Sequence, residues 1–337
     1  MKNAVLVLIL SVSGFSLNAQ ITFDVKTAVP VDSIFFSNIT QDNEFQFIRY
    51  SPSLQIKLNR PLNDLYNFTF YGSSGKRMNQ VWLNGDKIII KGNFTGKKLE
   101  VDTVIGSDIY YTSLDFRKRY DLLIEHKADS ATVNNFLLNE LTRNLNHVFS
   151  IEIAQAFFYR NVSNKSELLR VYNILAGQDA AVRSHLLNPY PKIGKVLFQN
   201  SIDFRKFTFN NPEGKIETIA LAPGKKYLVD MWFAACAPCI EQHKEITARL
   251  DVLKQNNIEV IGISIDQNQK QWAEFVTTKN YRWKNLRETD DPVKMLRTGM
   301  LIEVYPTYFL LDSNGNILFR SNSFREVTEH LKFESAQ

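Results

Sequence analysis

The chain has 337 residues, 44% hydrophobic, 22% charged and 12% aromatic, enough apolar material for about two cored domains and too much for wholesale disorder. Its net charge of +5 is spread without a basic cluster, so nucleic acid is not an expected partner. There are two cysteines, Cys236 and Cys239, which excludes a scaffold stapled by several disulfides and leaves one possible bridge within the chain.

Residues 1–19 begin with a cation at Lys2, continue through apolar Ala4–Leu10 and a softer stretch to Leu17, and end on the small residue Ala19. That order of features is expected of a signal peptide cut near Ala19-Gln20. The apolar run is far shorter than the roughly 20 residues of a spanning helix, and no later stretch approaches that length. The expectation is an exported mature chain, periplasmic, without stable membrane insertion. No cysteine lies near the cut to take a lipid. The cysteine pair would then sit where disulfides persist.

Residues 20–104 show short alternating apolar runs, such as Leu54, Ile56 and Leu58, then Tyr66, Phe68 and Phe70. They suggest a β-rich, antiparallel, sandwich-like domain. Asn84-Gly85 between Val81–Leu83 and Ile88–Ile90 suggests a hairpin, because Asn-Gly suits a type I′ turn. From 105 to 187 the apolar period becomes helical, and three to five helices are expected. Asn164 with Glu167 marks one helix start. Pro189 and Pro191 lie in 188–193, which is expected to be a linker, since proline crowds a preceding helical turn.

Residues 194–337 alternate strands with helices, the pattern of an α/β domain. A hairpin is expected around Pro212–Gly214, a buried strand over Tyr227–Phe233, a helix from Pro238 to about Leu253, and a second buried strand over Ile258–Ile265. Asp266 is expected to cap a helix bearing Trp272, Phe275 and Val276, with both Trp272 and Trp283 in the core. Asn314-Gly315 suggests another hairpin, and a last helix carries Val327, His330 and Leu331.

The cysteines fall where the first of these strands hands over to its helix. A thiolate at a helix start meets unpaired N–H groups and the positive end of the dipole, which lowers a thiol's pKa. Pro238 fits a first turn that does not need its N–H. Cys236, at the exposed end, is the expected attacking sulfur, and Cys239, a turn further in, the resolving one. Asp230 lies within the apolar strand, where burial disfavours a charged carboxylate and suits it to take the proton of Cys239. A structural pairing of Asp230 with Lys225 or Lys226 is the competing reading. Pro306 before a strand at Thr307 forgoes a ladder donor, which fits a turn with a cis bond.

The segment Leu228–Cys239, with Tyr305-Pro306-Thr307 and the Asn-Gly turn after it, resembles the thioredoxin superfamily, and within it the exported TlpA/ResA-like thiol–disulfide oxidoreductases. The likeness covers about 194–333. It implies a thioredoxin-like fold, Cys236 and Cys239 as a redox-active disulfide, and Asp230 as the buried proton acceptor. It places Trp232 beneath the site, and Tyr305, Pro306, Trp232 and Ala235 in the substrate-binding region. It further implies disulfide-containing exported proteins as partners, a membrane electron donor, and no cofactor. Ala235 stands where the family usually has Trp, Gln242 where ResA-like proteins have an active-site Glu, Val304 for a common Gly, and Tyr305 for a small aliphatic residue. With Ala237 and Pro238 between the cysteines, no side chain stabilises the thiolate strongly, which favours a reductant or a weakly oxidising exchanger.

Three rivals are weaker. A peroxiredoxin would need Thr where Phe233 stands. A metal site, including a copper chaperone, could draw on Cys236, Cys239 and His243, but structural zinc needs four ligands, and His243 reads as a surface residue. A purely structural bridge gains little, because so small a loop constrains little unfolded-state entropy.

Overall fold

The computed structural model describes residues 19–39, 45–73 and 75–332. The expected signal peptide spans residues 1–19, of which 1–18 lie outside that range. The chain divides into two compact units, one running to Ala154 and including Gly177–Asn188, the other combining Gln155–Ala176 with the chain from Pro189.

The first unit begins with β1 (Ala19–Thr27), β2 (Val31–Asn38), β3 (Phe45–Arg49), β4 (Ser53–Leu58), β5 (Leu62–Gly72), β6 (Gly75–Gly85), β7 (Lys87–Phe94) and β8 (Leu99–Ile105). These form two four-stranded sheets, ordered β4-β1-β7-β8 and β3-β2-β5-β6. Alternate residues enter one core, with Ile21, Phe23 and Val25 from β1 joining Phe68 and Phe70 from β5. Phe23 stacks on Phe68 at 4.9 Å and Phe70 on Phe94 at 4.0 Å. Pairing is antiparallel except between β1 and β7, which run parallel.

The expected Asn84-Gly85 hairpin is not formed, because β6 and β7 belong to different sheets and β6 pairs with β5. The turn chemistry serves a crossing between sheets. Asn84 Oδ1 accepts from Ser107 Oγ at 2.9 Å and from the Ile109 N–H at 3.2 Å, at the head of the first helix. Gly85 has φ of 110°, and a Cβ there would lie 2.4 Å from the Gly106 carbonyl oxygen, so only glycine fits.

The helices that follow are α1 (Asp108–Glu125), α2 (Ser130–Arg143), α3 (Ser150–Asn161), α4 (Lys165–Ala176) and α5 (Ala180–Arg183). Asn164 caps α4, accepting from the Glu167 N–H at 3.2 Å as its spacing suggests. The expected linker is corrected: α6 (Tyr190–Phe198) begins inside it. Pro189 takes the cap position and Pro191 the first turn, where a missing N–H leaves no bond unmade. The two prolines open a helix that buries Ile193.

The second unit continues through β9 (Phe209–Asn210), β10 (Ile216–Glu217), β11 (Lys226–Trp232), α7 (Ala237–Gln255), β12 (Ile258–Ser264), α8 (Gln269–Lys279), β13 (Lys284–Glu288), α9 (Leu296–Met300), β14 (Thr307–Leu311), β15 (Ile317–Ser321) and α10 (Phe324–Leu331). Its seven-stranded sheet is ordered β10-β9-β13-β12-β11-β14-β15. Strands β11, β12 and β13 run parallel at the centre, with antiparallel strands outside them. Both hairpins expected here are present, β9 with β10 and β14 with β15. Alternation along β11 decides what each face carries. Val229 and Met231 enter a core with Leu296, Met300 and Ile302. Leu228 enters the opposite core with Ile246, Leu250 and Leu253 of α7 and Phe324 of α10. Asp230 and Trp232 share the parity of Leu228, so they face α7.

Candidate active site

Cys236 is the N-cap of α7, and its sulfur accepts from the Cys239 N–H at 3.3 Å. The two cysteines are joined, with S–S 2.03 Å and Cα–Cα 5.3 Å. The expectation of an exposed attacking residue needs adjustment: in the closed bridge Cys236 is 4% exposed and Cys239 wholly buried. The surface at the bridge belongs to Ala235, Ala237 and Pro238, all exposed. Beneath it, Trp232, Cys236, Cys239, Trp272 and Val276 form one apolar cluster. Trp232 has no exposed surface, so it supports the bridge from below and does not itself meet a partner.

Asp230 is fully buried on β11. Its register partners are Tyr308 on β14 and Gly262 on β12, and Gly262 in turn pairs with Asn285 on β13. A row of polar residues therefore crosses the middle of the sheet beneath α7. The lysine pairing does not form: Lys225 bonds Glu259, and Lys226 is exposed.

Asp230 Oδ2 instead meets His243 Nε2 at 2.7 Å, with the histidine side chain 1% exposed. His243 is thus a buried residue, against the expectation of a surface one, and the Nε2 offered to a metal is turned to a carboxylate. Its ring lies among Tyr281 at 4.8 Å, Trp232 at 4.9 Å and Trp283 at 5.6 Å, each edge-to-face. A legible signal was present, because 239, 243, 246, 250 and 253 fall on one helical stripe, and its other members are a cysteine, isoleucine and leucines. Asp230 Oδ1 and His243 Nδ1 have no hydrogen-bond partner among the described residues. Burial, with Asp230's charge adding to it, pushes the Tyr281 phenol up to about 12 and raises Tyr308 further.

Gly262 leaves room in this row. A Cβ there would lie 3.0 Å from Trp283 Nε1 and 3.2 Å from both Trp232 Nε1 and Asn285 Oδ1. Those three polar atoms are buried and have no partner among the described residues.

The loop opposite the cysteines holds the cis Tyr305–Pro306 bond. Tyr305 is half-buried, packs edge-to-face on Phe233 at 5.6 Å, and donates its OH to the Ile302 carbonyl at 3.2 Å. Burial, then the nearby Glu288 carboxylate, pushes its phenol up to about 12. Pro306 is buried, and its carbonyl accepts from Asn322 Nδ2 at 2.6 Å. Asn322 Nδ2 also reaches Thr307 Oγ1 at 2.8 Å, and Ser163 Oγ donates to Asn322 Oδ1. Two more bonds hold the approach to the loop: Glu303 accepts from Tyr159 OH at 2.9 Å and Lys192 Nζ at 2.6 Å. Asn322, Glu303, Tyr159, Ser163 and Lys192 carried no sequence signal, since nothing local ties them to the proline.

Asp266 does not cap α8; Asn268 does, accepting from the Gln271 N–H at 3.0 Å. Asp266 Oδ2 accepts from the Ala234 N–H at 2.9 Å and from Ser264 Oγ at 2.6 Å, which braces the loop before Cys236. Gln242, where a glutamate was the family expectation, accepts the Phe324 N–H at 2.6 Å through Oε1, at the head of α10. His330 is exposed and stacks on Phe319 at 4.3 Å.

A family model described as thioredoxin-like matches residues 224–317. The thiol:disulfide interchange protein HelX of Rhodobacter capsulatus is 29% identical over 100 residues, which are 30% of this chain and 53% of HelX. The chain thus spans about half the length of that relative. Similar solved structures include the thioredoxin domain of a thiol-disulfide oxidoreductase from Bacteroides vulgatus, at 20% identity and TM-score 0.36, covering 40% of this chain and 95% of that one. Another is a thiol-disulfide oxidoreductase from Bacteroides fragilis, at 23% identity and TM-score 0.34, covering 37% and 94%.

Proposed function

We propose that this chain, whose C-terminal domain is thioredoxin-like, is a thiol–disulfide oxidoreductase acting on exported proteins through Cys236 and Cys239. The observation that carries the reading is the bridge itself, set at the N-cap of α7, where a released Cys236 thiolate faces the unpaired N–H groups of the helix start. HelX, a thiol:disulfide interchange protein by name, supports the same reaction class.

In the reduced form, Cys236 attacks one sulfur of a partner disulfide. A Cys236–partner S–S bond forms, and the other partner sulfur leaves as a thiolate. Cys239 then loses its proton and attacks Cys236 Sγ, which closes the bridge seen here and releases the second partner thiolate. Two electrons have passed to the partner, and a membrane electron donor is the class of protein that would restore them. Buried Asp230 takes part in accepting the Cys239 proton. The partner-facing surface is Ala235, the Ala237-Pro238 pair and Tyr305, with Pro306 shaping the loop and Trp232 supporting the bridge. The signal-peptide pattern at residues 1–19 supports a periplasmic setting for this chemistry.

Replacing the resolving sulfur tests the reading. Cys239→Ser is expected to accumulate disulfide-linked adducts through Cys236 in whole cells, identifiable by mass spectrometry, while Cys236→Ser yields none and abolishes turnover. Absence of adducts with Cys239→Ser would overturn the mechanism.

A further inference from the structure

Resting on the thiol–disulfide reading, we propose that the base for Cys239 is an imidazole–carboxylate pair, in which His243 takes up the proton and Asp230 holds its ring and balances its charge. The 2.7 Å contact between His243 Nε2 and Asp230 Oδ2 can be made in two ways. Either Nε2–H donates to the carboxylate, or a protonated carboxyl donates to Nε2. The second would leave an N–H on Nδ1, buried and unpaired, and proteins avoid that more strictly than an unpaired lone pair. Nδ1 has no partner among the described residues. The arrangement is therefore a carboxylate at Asp230, a proton on Nε2, and an open lone pair at Nδ1.

His243 lies on the buried face of α7 that also carries Cys239. Side chains of α7 tilt toward its start, so His243 leans over the turn carrying Cys239, four residues earlier on the same face. Trp232 touches both ends of this line, clustering with the cysteines and meeting the His243 ring at 4.9 Å. A nucleophile, a base and a group that orients the base is the constellation that activates buried thiols and hydroxyls generally.

The step balances as follows. The Cys239 thiol gives its proton to Nδ1, leaving an imidazolium paired with the Asp230 carboxylate. The Cys239 thiolate attacks Cys236 Sγ of the mixed disulfide, the Cys236–Cys239 bond forms, and the Cys236–partner bond breaks. The departing partner thiolate takes the electron pair, and the imidazolium returns its proton to solvent. Other ionisable groups face the pair without entering this cycle. Tyr281, ahead of β13, and Tyr308, on β14, are both raised by burial and by Asp230, so they stay protonated. Glu245 on α7 bears on Tyr308.

The test uses the full-length reduced chain and 5,5′-dithiobis(2-nitrobenzoate). Attack by Cys236 releases one chromophore, and resolution by Cys239 releases a second. His243→Gln keeps a donor toward Asp230 but cannot hold the proton. It is expected to leave the first release intact, to slow the second at least tenfold at neutral pH, and to regain speed as pH rises and the thiol ionises unaided. Second-release rates and a pH profile equal to wild type, with Asp230→Asn alone slow, would overturn the pair and leave the exchange reading standing. Failure of the wild-type chain to give even the first release would overturn both. Nitrogen NMR of the His243 ring in the oxidised wild-type chain decides the matter if the variant does not fold: a proton on Nε2 supports the proposal, and a proton on Nδ1 alone refutes it.

Discussion

Asp266 shows how much of the site depends on side chains that carry no thiol. Its carboxylate serves the Ala234 N–H and the Ser264 hydroxyl together, and Ser264 is fully buried. Asp266→Ala would leave both donors without an acceptor, at a cost of about 1–3 kcal/mol. The expected outcome is a lower urea midpoint, with Asp266→Asn, which keeps an acceptor, losing less. At this scale the sequence was legible where chemistry is local. The cysteines and Asp230 stand out because a thiol pair at a helix start and a carboxylate in an apolar strand are each unusual alone. Asp266 suggests a cap because it precedes a helix, but Asn268 is better spaced to accept from α8. His243 reads as a surface residue when weighed only as a neighbour one helical turn after Cys239, whereas its place on the Cys239–Leu253 stripe points inward.

The helices show where local rules stop. α4 is capped by Asn164, a partner within its own sequence, so its start is legible from a short window. α10 has Ser323 at its cap with no side-chain bond of its own, and its Phe324 N–H is taken by Gln242 from α7. No sequence window contains both residues. The Asn84-Gly85 turn is a related case: its residues suit a hairpin, but β6 pairs back with β5, the strand before it, while β7 pairs with distant β1, so the flanking strands join different sheets. The cap can be tested directly. Gln242→Ala is expected to cost about 1 kcal/mol, the usual loss at a helix cap, seen as a lower thermal midpoint and faster amide exchange in α10. Gln242→Glu keeps the acceptor, adds a charge favourable at a helix start, and should match or exceed wild type.

Across the whole molecule, the boundary of the thioredoxin-like part differs from the one the sequence suggested. The alternation of strands and helices begins at about residue 194, yet the second unit also draws on Gln155–Ala176 and on the chain from Pro189. Three of the residues that steady the cis-proline loop, Tyr159, Ser163 and Lys192, come from that earlier stretch. The reason is physical: a domain edge read from periodicity registers where strands begin, not which helices complete a core. A chain starting at Gly194 would divide α6 after its buried Ile193 and lose all three bonds to the loop. Loss of that burial alone is worth at least about 2 kcal/mol. Tryptophan fluorescence in urea should therefore place the midpoint of the 194–337 fragment well below that of the same region in the full chain. Amides around Thr307 should also exchange faster in the fragment. Equal midpoints and equal exchange would show that the earlier helices rest against the domain without supporting it.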